Sequence, residues 1–173
     1  MRTEPFISED IMKKIIVSAL VIVLSCLLFA GCIMEKYEPK VFRCGDLEIE
    51  LNDGFEKKSS ANHDGYFLSK TMGVYVDEWQ FDEFDDAEAA AEMTEQEFAE
   101  KVVELGKYRA NVKRDKGLIA FSYDEELGGN EYTFYSVAIK SDEAFWLVTF
   151  FTRSEAFEDQ MEVIRDYAWT VEF

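Results

Sequence analysis

Alternating hydrophobic and polar residues predict β-strands in the first part of the chain. Residues 47–51 (LEIEL) have the period of two that is typical of a half-buried strand, and residues 52–54 (NDG) follow as a turn. Residues 66–69 and 73–76 are rich in strand-forming residues and lie close together in the sequence, which predicts a hairpin.

The later part of the chain has the same strand-forming character. Strands are predicted near Val112 and over residues 118–123, 132–139 and 145–151. The polar connections between the last three are too short for a parallel crossover, which needs about a dozen residues. These strands are therefore expected to form an antiparallel meander.

Two segments have the period of an α-helix instead. In the first, Thr94 and Glu97 form a capping-box sequence, and Gly106 stands where a helix typically ends. Its predicted inner face consists of Phe98, Val102 and Leu105. The second helix is predicted to begin with Ser154 as its N-cap. Its inner face is expected at Phe157, Met161, Ile164 and Ala168, and residues 169–173 are expected to close the chain as a short strand.

The acidic segment 77–92 separates the hairpin from the first helix. It carries the rings of Trp79, Phe81 and Phe84 among many carboxylates, and it is interpreted as a loop that becomes a helical turn at residues 87–91. The order of strands, helix, strands, helix and strand predicts an α+β fold with helices packed on an antiparallel sheet. We expect residues 46–173 to form this single domain.

The beginning of the chain has the pattern of an export signal. Two lysines after Met12 precede an apolar stretch at residues 15–30, which small residues link to Cys32. The order of residues 28–32 (LFAGC) resembles the lipobox of bacterial lipoproteins, with Phe29 where leucine is usual. The resemblance implies that Cys32 receives a diacylglyceryl group and becomes the first residue after cleavage.

This interpretation divides the chain before the domain. Residues 1–31 are a predicted signal peptide, of which the polar residues 1–11 are expected to be a start-site artefact, and residues 32–45 are a predicted lipidated tether. An uncleaved membrane anchor and a secreted form are the alternatives. The apolar stretch is shorter than the ~20 residues that span a bilayer comfortably, which favours the lipoprotein.

The chain is strongly acidic, with a net charge of −18. Acidic and basic residues balance before Cys32, so this charge stays on the mature part. Such a surface repels nucleic acid and anionic lipid headgroups. Nucleic acid is therefore not an expected partner, and contact with the membrane is expected through the lipid anchor. The acidity itself is typical of solubility in a surface-exposed protein.

The layout of residues 47–173 resembles the PsbP/Mog1 family of α/β/α sandwiches, which includes uncharacterised bacterial lipoproteins. The resemblance is carried by LEIELNDGF, GYFLSKTMGVYV, TEQEFAEKVVEL, KGLIAFSYDEE, YTFYSVAIK, FWLVTFF and a final helix with Trp169. Asn52 and Asp53 stand where the family usually has a proline. The resemblance implies the fold and a general role in protein interaction or assembly. Some members sit in photosystems and others bind a small GTPase, and neither partner is carried over to this chain.

Few residues are available for catalysis or metal binding. The mature sequence contains one further cysteine, Cys44, and one histidine, His63, which excludes a Cys/His zinc site. Cys44 is expected to be a buried or inert thiol. His63 lies in a polar stretch typical of a loop, with Asp64 too close in sequence to orient it as a catalytic base. Residues 82–86 lack the order of an EF-hand loop, and the common nucleotide and hydrolase motifs are missing from the sequence.

The aromatic strands leave two interpretations open. Adjacent rings such as Phe145 and Trp146 must point to opposite faces of the sheet. They are core if helices cover both faces, as the resemblance implies, and a binding patch if one face is open. We assign no cofactor, metal site or ligand-binding residue, and expect no enzyme.

The leading hypothesis is a membrane-anchored extracytoplasmic lipoprotein with a non-catalytic protein-interaction or scaffold domain and an unknown protein partner. The alternative is a lipoprotein that binds a small ligand or cation in an acidic and aromatic cleft at residues 77–86. A carboxylate-based hydrolase comes third.

Overall fold

The computed structural model describes residues 37–173, so the predicted leader and Cys32 lie outside the described residues. In chain order the strands are β1 (Pro39–Cys44), β2 (Leu47–Asn52), β3 (Glu56–Lys57), β4 (Gly65–Leu68), β5 (Met72–Gln80), β6 (Lys113–Asp115), β7 (Leu118–Leu127), β8 (Asn130–Lys140) and β9 (Ala144–Arg153). The helices are α1 (Ala87–Glu92), α2 (Glu95–Gly106) and α3 (Phe157–Ala168), and single 3-10 turns lie at Phe81–Glu83 and Ser154–Ala156.

An antiparallel sheet of seven strands organises the domain, in the spatial order β3-β4-β5-β9-β8-β7-β6. Strands β1 and β2 form a separate antiparallel hairpin. The predicted meander of β7, β8 and β9 is confirmed, as is the hairpin of β4 and β5. Strand β9 is central and is buried along nearly its whole length, which explains its continuous run of apolar residues.

Both faces of the sheet carry a hydrophobic core. On the first face, α3 and the β1–β2 hairpin pack against side chains such as Val74, Trp146 and Phe150. On the second face, α2 packs against Phe145, Leu147 and their neighbours. The predicted α+β architecture of an antiparallel sheet flanked by helices is therefore confirmed.

Strand β1 corrects the predicted boundary between tether and domain. Phe42 pairs with Ile49, and Cys44 pairs with Leu47, in the register of the hairpin. Both Phe42 and Cys44 are buried in the first core, while the alternate residues Val41 and Arg43 are exposed on the outer side of the hairpin. The prediction that residues 32–45 are a tether is wrong for residues 39–44, because pairing with β2 turns this stretch into a half-buried strand.

Helix α2 begins as predicted. Thr94 Oγ1 accepts a hydrogen bond from the backbone N–H of Glu97 (3.2 Å), and the Glu97 carboxylate accepts one from the N–H of Thr94 (2.8 Å). The predicted inner face is partly wrong. Phe98, Ala99 and Val102 are buried, whereas Leu105 is 72% exposed. At about 100° per residue, the buried stripe is centred between Phe98 and Ala99, which leaves Leu105 at its margin.

Helix α3 presents Met161, Ile164 and Ala168 to the first core as predicted, and Phe157 is partly buried against it. Ser154 starts a 3-10 turn rather than capping the helix, and the N-cap, Ala156, has no side-chain hydrogen bond. In the last turn, Arg165 donates two hydrogen bonds to the carboxylate of Asp115 (2.9 and 3.1 Å), which fastens the edge strand β6 to the helix.

Two other boundaries differ from the expectation. The predicted closing strand is reduced to a single β-bridge between Glu172 and Glu48. Strand β5 continues to Gln80, so the predicted acidic loop begins four residues later than residue 77; the helical turn expected at residues 87–91 is present as α1. Of the helices in residues 37–173, none has the length and hydrophobicity needed to cross a membrane.

Candidate functional site

The second face of the sheet divides into two parts along its strands. Helix α2 covers the part that contains Phe121, Ala138 and Leu147. Further along β8 and β9, Phe134 and Phe151 are buried but belong to neither hydrophobic core. We call the region formed by Phe134, Phe151 and the half-buried tyrosines Tyr66, Tyr75, Tyr123 and Tyr132 the open half.

A continuous stack of aromatic rings crosses the open half. From one side to the other it consists of His63, Tyr75, Phe151, Phe134, Tyr123 and Tyr108, with successive ring centroids 4.0, 4.8, 5.5, 5.0 and 3.9 Å apart. The four central rings lie on the neighbouring strands β5, β9, β8 and β7. Phe134 pairs directly with Phe151 and with Tyr123, so the strand spacing of about 4.8 Å sets the distances between these rings. Tyr75 pairs with Thr149 and reaches Phe151 diagonally across β5 and β9.

The stacking of the rings determines which of their atoms are accessible to a ligand. Each ring inside the ladder has its π faces against the neighbouring rings, with interplanar angles between 7° and 24°. Ring edges and tyrosine hydroxyl groups are therefore what remains accessible along the ladder. A sugar ring, which binds by stacking on an aromatic face, has no free face in the middle of this surface.

Gly73 makes room for the centre of the ladder. It pairs with Phe151 in the register of β5 and β9. A Cβ atom at Gly73 would lie only 2.0 Å from Cζ of Phe151. The ring of Phe151 thus lies over the backbone of β5, which is possible only because residue 73 has no side chain.

His63 and Asp77 hold one end of the ladder. Nδ1 of His63 lies 2.7 Å from Oδ1 of Asp77, and the imidazole ring stacks on Tyr75. Burial raises the pKa of Asp77, although the hydrogen bond with His63 acts in the opposite direction. The loop position expected for His63 is confirmed. Asp64 does not orient the histidine, since its carboxylate accepts a hydrogen bond from the backbone N–H of Glu78 (2.8 Å).

Tyrosine hydroxyl groups and one carboxylate collect at the other end. Burial raises the pKa of Tyr123, with further contributions from hydrogen-bonded Tyr108 and from the charge of Glu125. At the end that contains His63, burial also raises the pKa of Tyr75, and Tyr66 and Glu125 add to the effect. These tyrosines therefore stay protonated at neutral pH and act as neutral hydrogen-bonding groups.

Part of the acidic segment 77–86, where a ligand-binding cleft was the alternative hypothesis, lies at a surface cleft. This cleft, of about 430 Å³, is lined by residues that include Trp79, Glu83, Phe84, Asp85, Phe98 and Leu105. Trp79 and Phe84 are partly buried against the second core, where the Trp79 and Phe98 rings meet edge to face at 5.7 Å. The rings of this segment therefore close the core around α2, while Glu83 and Asp85 remain exposed.

The remaining candidate groups are not assembled into a reactive centre. Cys44 is buried, and burial raises the pKa of its thiol to about 11, so the thiol is protonated and unreactive at neutral pH. This outcome agrees with the predicted buried or inert thiol. Within residues 37–173, no group of three or more His, Cys, Asp and Glu side chains is arranged to hold a metal ion.

Comparison with known proteins bears on the fold. No protein-family model matches the chain, and no curated protein matches it. A solved structure from Bacteroides thetaiotaomicron VPI-5482 is similar at a TM-score of 0.50 and 10% identity, over 78% of this chain and 47% of that one. This chain thus spans about half the length of the Bacteroides protein.

Two further solved structures are similar to this chain. Cyanobacterial PsbP (CyanoP) from Synechocystis sp. PCC 6803 has a TM-score of 0.45 and 8% identity, over 82% of this chain and 95% of that one. The Ran-binding protein Mog1p of Saccharomyces cerevisiae has a TM-score of 0.47 and 11% identity, over 79% of this chain and 96% of that one. The antiparallel sheet with a helix on each face is the architecture that the predicted resemblance implied, and the two proteins' partners remain theirs.

The aromatic ladder was not predicted as a unit from the sequence. The alternation of Tyr132 and Phe134 places them on one face of β8, and the alternation of Tyr75 and Asp77 does the same on β5. The alternation of Tyr75 and Asp77 is the signal that would have extended β5 through Asp77, the residue whose carboxylate contacts His63. Pairing between β5 and β9, which places Tyr75 beside Phe151, has no local signal in the sequence.

Proposed function

We propose that this chain is a lipid-anchored, extracytoplasmic lipoprotein whose domain binds a partner protein through the open half without catalysing a reaction. The observation that carries the binding proposal is the position of Phe134 and Phe151 outside both hydrophobic cores, among half-buried tyrosines. Tyrosine and phenylalanine are enriched in protein interfaces, where tyrosine offers a large, rigid and amphipathic contact area.

The chemistry of the open half supports binding rather than catalysis. Its groups are aromatic rings and hydroxyl groups whose raised pKa keeps them protonated, and protonated hydroxyls are weak nucleophiles and weak bases. The lipid anchor is supported by the leader and by Cys32 in the LFAGC context of the sequence.

Site-specific photo-cross-linking in cells tests the binding proposal. A benzophenone amino acid at Tyr132, in the open half, should give a discrete cross-linked product in the cell envelope. The matched control is the same amino acid at Val163, which is 44% exposed on the outer side of α3. Equal patterns at both positions, or no product at Tyr132, would contradict binding through the open half.

Membrane fractionation and intact mass test the anchor. Cys32→Ala should move the protein from the membrane fraction to the soluble fraction and remove the mass of the diacylglyceryl group. Retention of the variant in membranes, or an unmodified full-length mass of the parent protein, would contradict the lipoprotein.

A further inference from the structure

Glu125 gives the open half a negative charge at one corner. It follows Tyr123 by two residues on β7, so both side chains lie on the second face. It also pairs with Tyr132 across β7 and β8. Its carboxylate is exposed, and its charge acts on the hydroxyl groups of Tyr75 and Tyr123. The side chains of Glu125, Tyr123 and Tyr132 therefore lie on the same face, at one corner of the open half.

The net charge of the whole chain, −18, has the same sign. Asp77 lies at the opposite corner of the open half, where one of its carboxylate oxygens, Oδ1, is 2.7 Å from Nδ1 of His63. Two arginines lie nearby: Arg109 shares a surface cleft with Tyr123, and Arg153 lies over the Tyr132 ring at 5.7 Å and donates a hydrogen bond to the side chain of Asn130. Within residues 37–173 neither arginine forms an ion pair with Glu125, so its exposed carboxylate is available to an incoming positive charge.

The accessible groups select the type of ligand. Carboxylate and hydroxyl oxygens accept hydrogen bonds, so they complement ammonium and guanidinium groups. The two acidic corners are separated by three strand spacings and six residues along the strands, about 24 Å in all. An extended polypeptide of about seven residues covers this distance.

Resting on the proposed function, we infer that the partner presents an extended basic segment to the open half. One lysine or arginine side chain of this segment lies against Glu125 and the tyrosine hydroxyl groups above the rings of Phe134 and Phe151. A second basic side chain reaches the corner at Asp77. The edges of the stacked rings supply the apolar contact between the two.

The test uses two synthetic heptapeptides and the full chain in a neutral detergent. The basic probe alternates four lysines with three valines, and the acidic probe replaces each lysine with glutamate. Isothermal titration calorimetry should detect binding of the basic probe alone. Glu125→Gln should weaken this binding about tenfold, which corresponds to the loss of one charge-assisted hydrogen bond.

The matched control is Glu126→Gln. It removes the same charge from the next residue of β7, whose side chain points to the opposite face. It should leave binding of the basic probe unchanged. Three results would overturn the inference: no binding of the basic probe, equal binding of the acidic probe, or equal weakening by both variants, which would mean that only the overall charge matters.

The cross-linking experiment separates this inference from the proposed function. A product at Tyr132 together with a negative peptide result means that the open half binds a partner whose segment is not basic. Absence of any product at Tyr132 contradicts the proposed function itself, whatever the peptides do.

Discussion

Gly73 provides a direct test of the aromatic ladder. A Cβ atom at this position would lie 2.0 Å from Cζ and 2.2 Å from Cε1 of Phe151. The ring cannot easily move aside, because it is stacked between Tyr75 at 4.8 Å and Phe134 at 5.5 Å and is only 8% exposed. Overpacking of this kind costs about 1–3 kcal/mol. Replacing glycine in a strand otherwise stabilises by roughly 0.5–1 kcal/mol. We therefore expect Gly73→Ala to lower the free energy of unfolding by about 0.5–2 kcal/mol.

A double-mutant cycle isolates the contact between Gly73 and Phe151. Urea denaturation followed by far-UV circular dichroism gives the free energy of unfolding of Gly73→Ala, Phe151→Ala and the double variant. Once the ring is removed, the added methyl group meets no obstacle, so Gly73→Ala should be neutral or stabilising in that background. The coupling free energy should be about 1–3 kcal/mol.

The result that refutes this reasoning is specific. If Gly73→Ala is as stable as the parent protein, or equally destabilising with and without the Phe151 ring, the ring does not occupy the space over Gly73. Phe151→Leu replaces Phe151→Ala in the cycle if the larger truncation, which typically costs about 3–5 kcal/mol, leaves too little folded protein.

Three further predictions concern the cores and their polar contacts. Val102→Asp should unfold the domain, because an unpaired charge would be buried at a cost of several kcal/mol. Leu105→Asp, at an exposed position of the same helix, should change the free energy of unfolding by less than about 0.5 kcal/mol. Equal effects of the two variants in urea titrations would contradict the assignment of the buried face. Burial alone would raise the pKa of Asp115, but hydrogen bonding to Arg165 lowers it below the usual 3.8. Ionised Asp115 thus stabilises the fold above about pH 4, and this stabilisation is lost as the pH falls through the lowered pKa. Asp115→Asn should therefore make the free energy of unfolding fall less steeply as the pH is lowered. The same pH dependence in the variant and the parent protein would argue against the ion pair. Cys44 should resist iodoacetamide at about pH 8 in the folded protein and react after unfolding, because burial raises its pKa to about 11. Peptide mapping measures the labelling of Cys44. Rapid labelling of the folded protein would contradict the burial of this thiol.

Local patterns in the sequence were sufficient for most elements of the fold. The capping box of Thr94 and Glu97 gave the start of α2, because both hydrogen bonds form within one helical turn. The short links between β7, β8 and β9 gave their antiparallel pairing, because a parallel connection has no room. These predictions succeeded because the interactions that decide them join residues close in sequence.

The errors occurred where a residue's environment depends on distant parts of the chain. The sequence of residues 39–44 alone predicts a tether, because the pairing of β1 with β2 and the core that buries Phe42 depend on residues outside this segment. Leu105 satisfies the helical period, yet it lies at the margin of the stripe that α2 buries and is exposed. The continuation of β5 through Asp77 likewise depends on pairing with β9.

The candidate site shows the same division most clearly. Alternation along β8 and β9 already places Phe134 and Phe151 on particular sides of their strands, because successive side chains of any strand point to opposite faces. Which strands become neighbours, and which part of a face a helix covers, depends on contacts between residues far apart in the chain. The ladder from His63 to Tyr108 exists only through the order β5-β9-β8-β7, and its exposure only through the limited reach of α2.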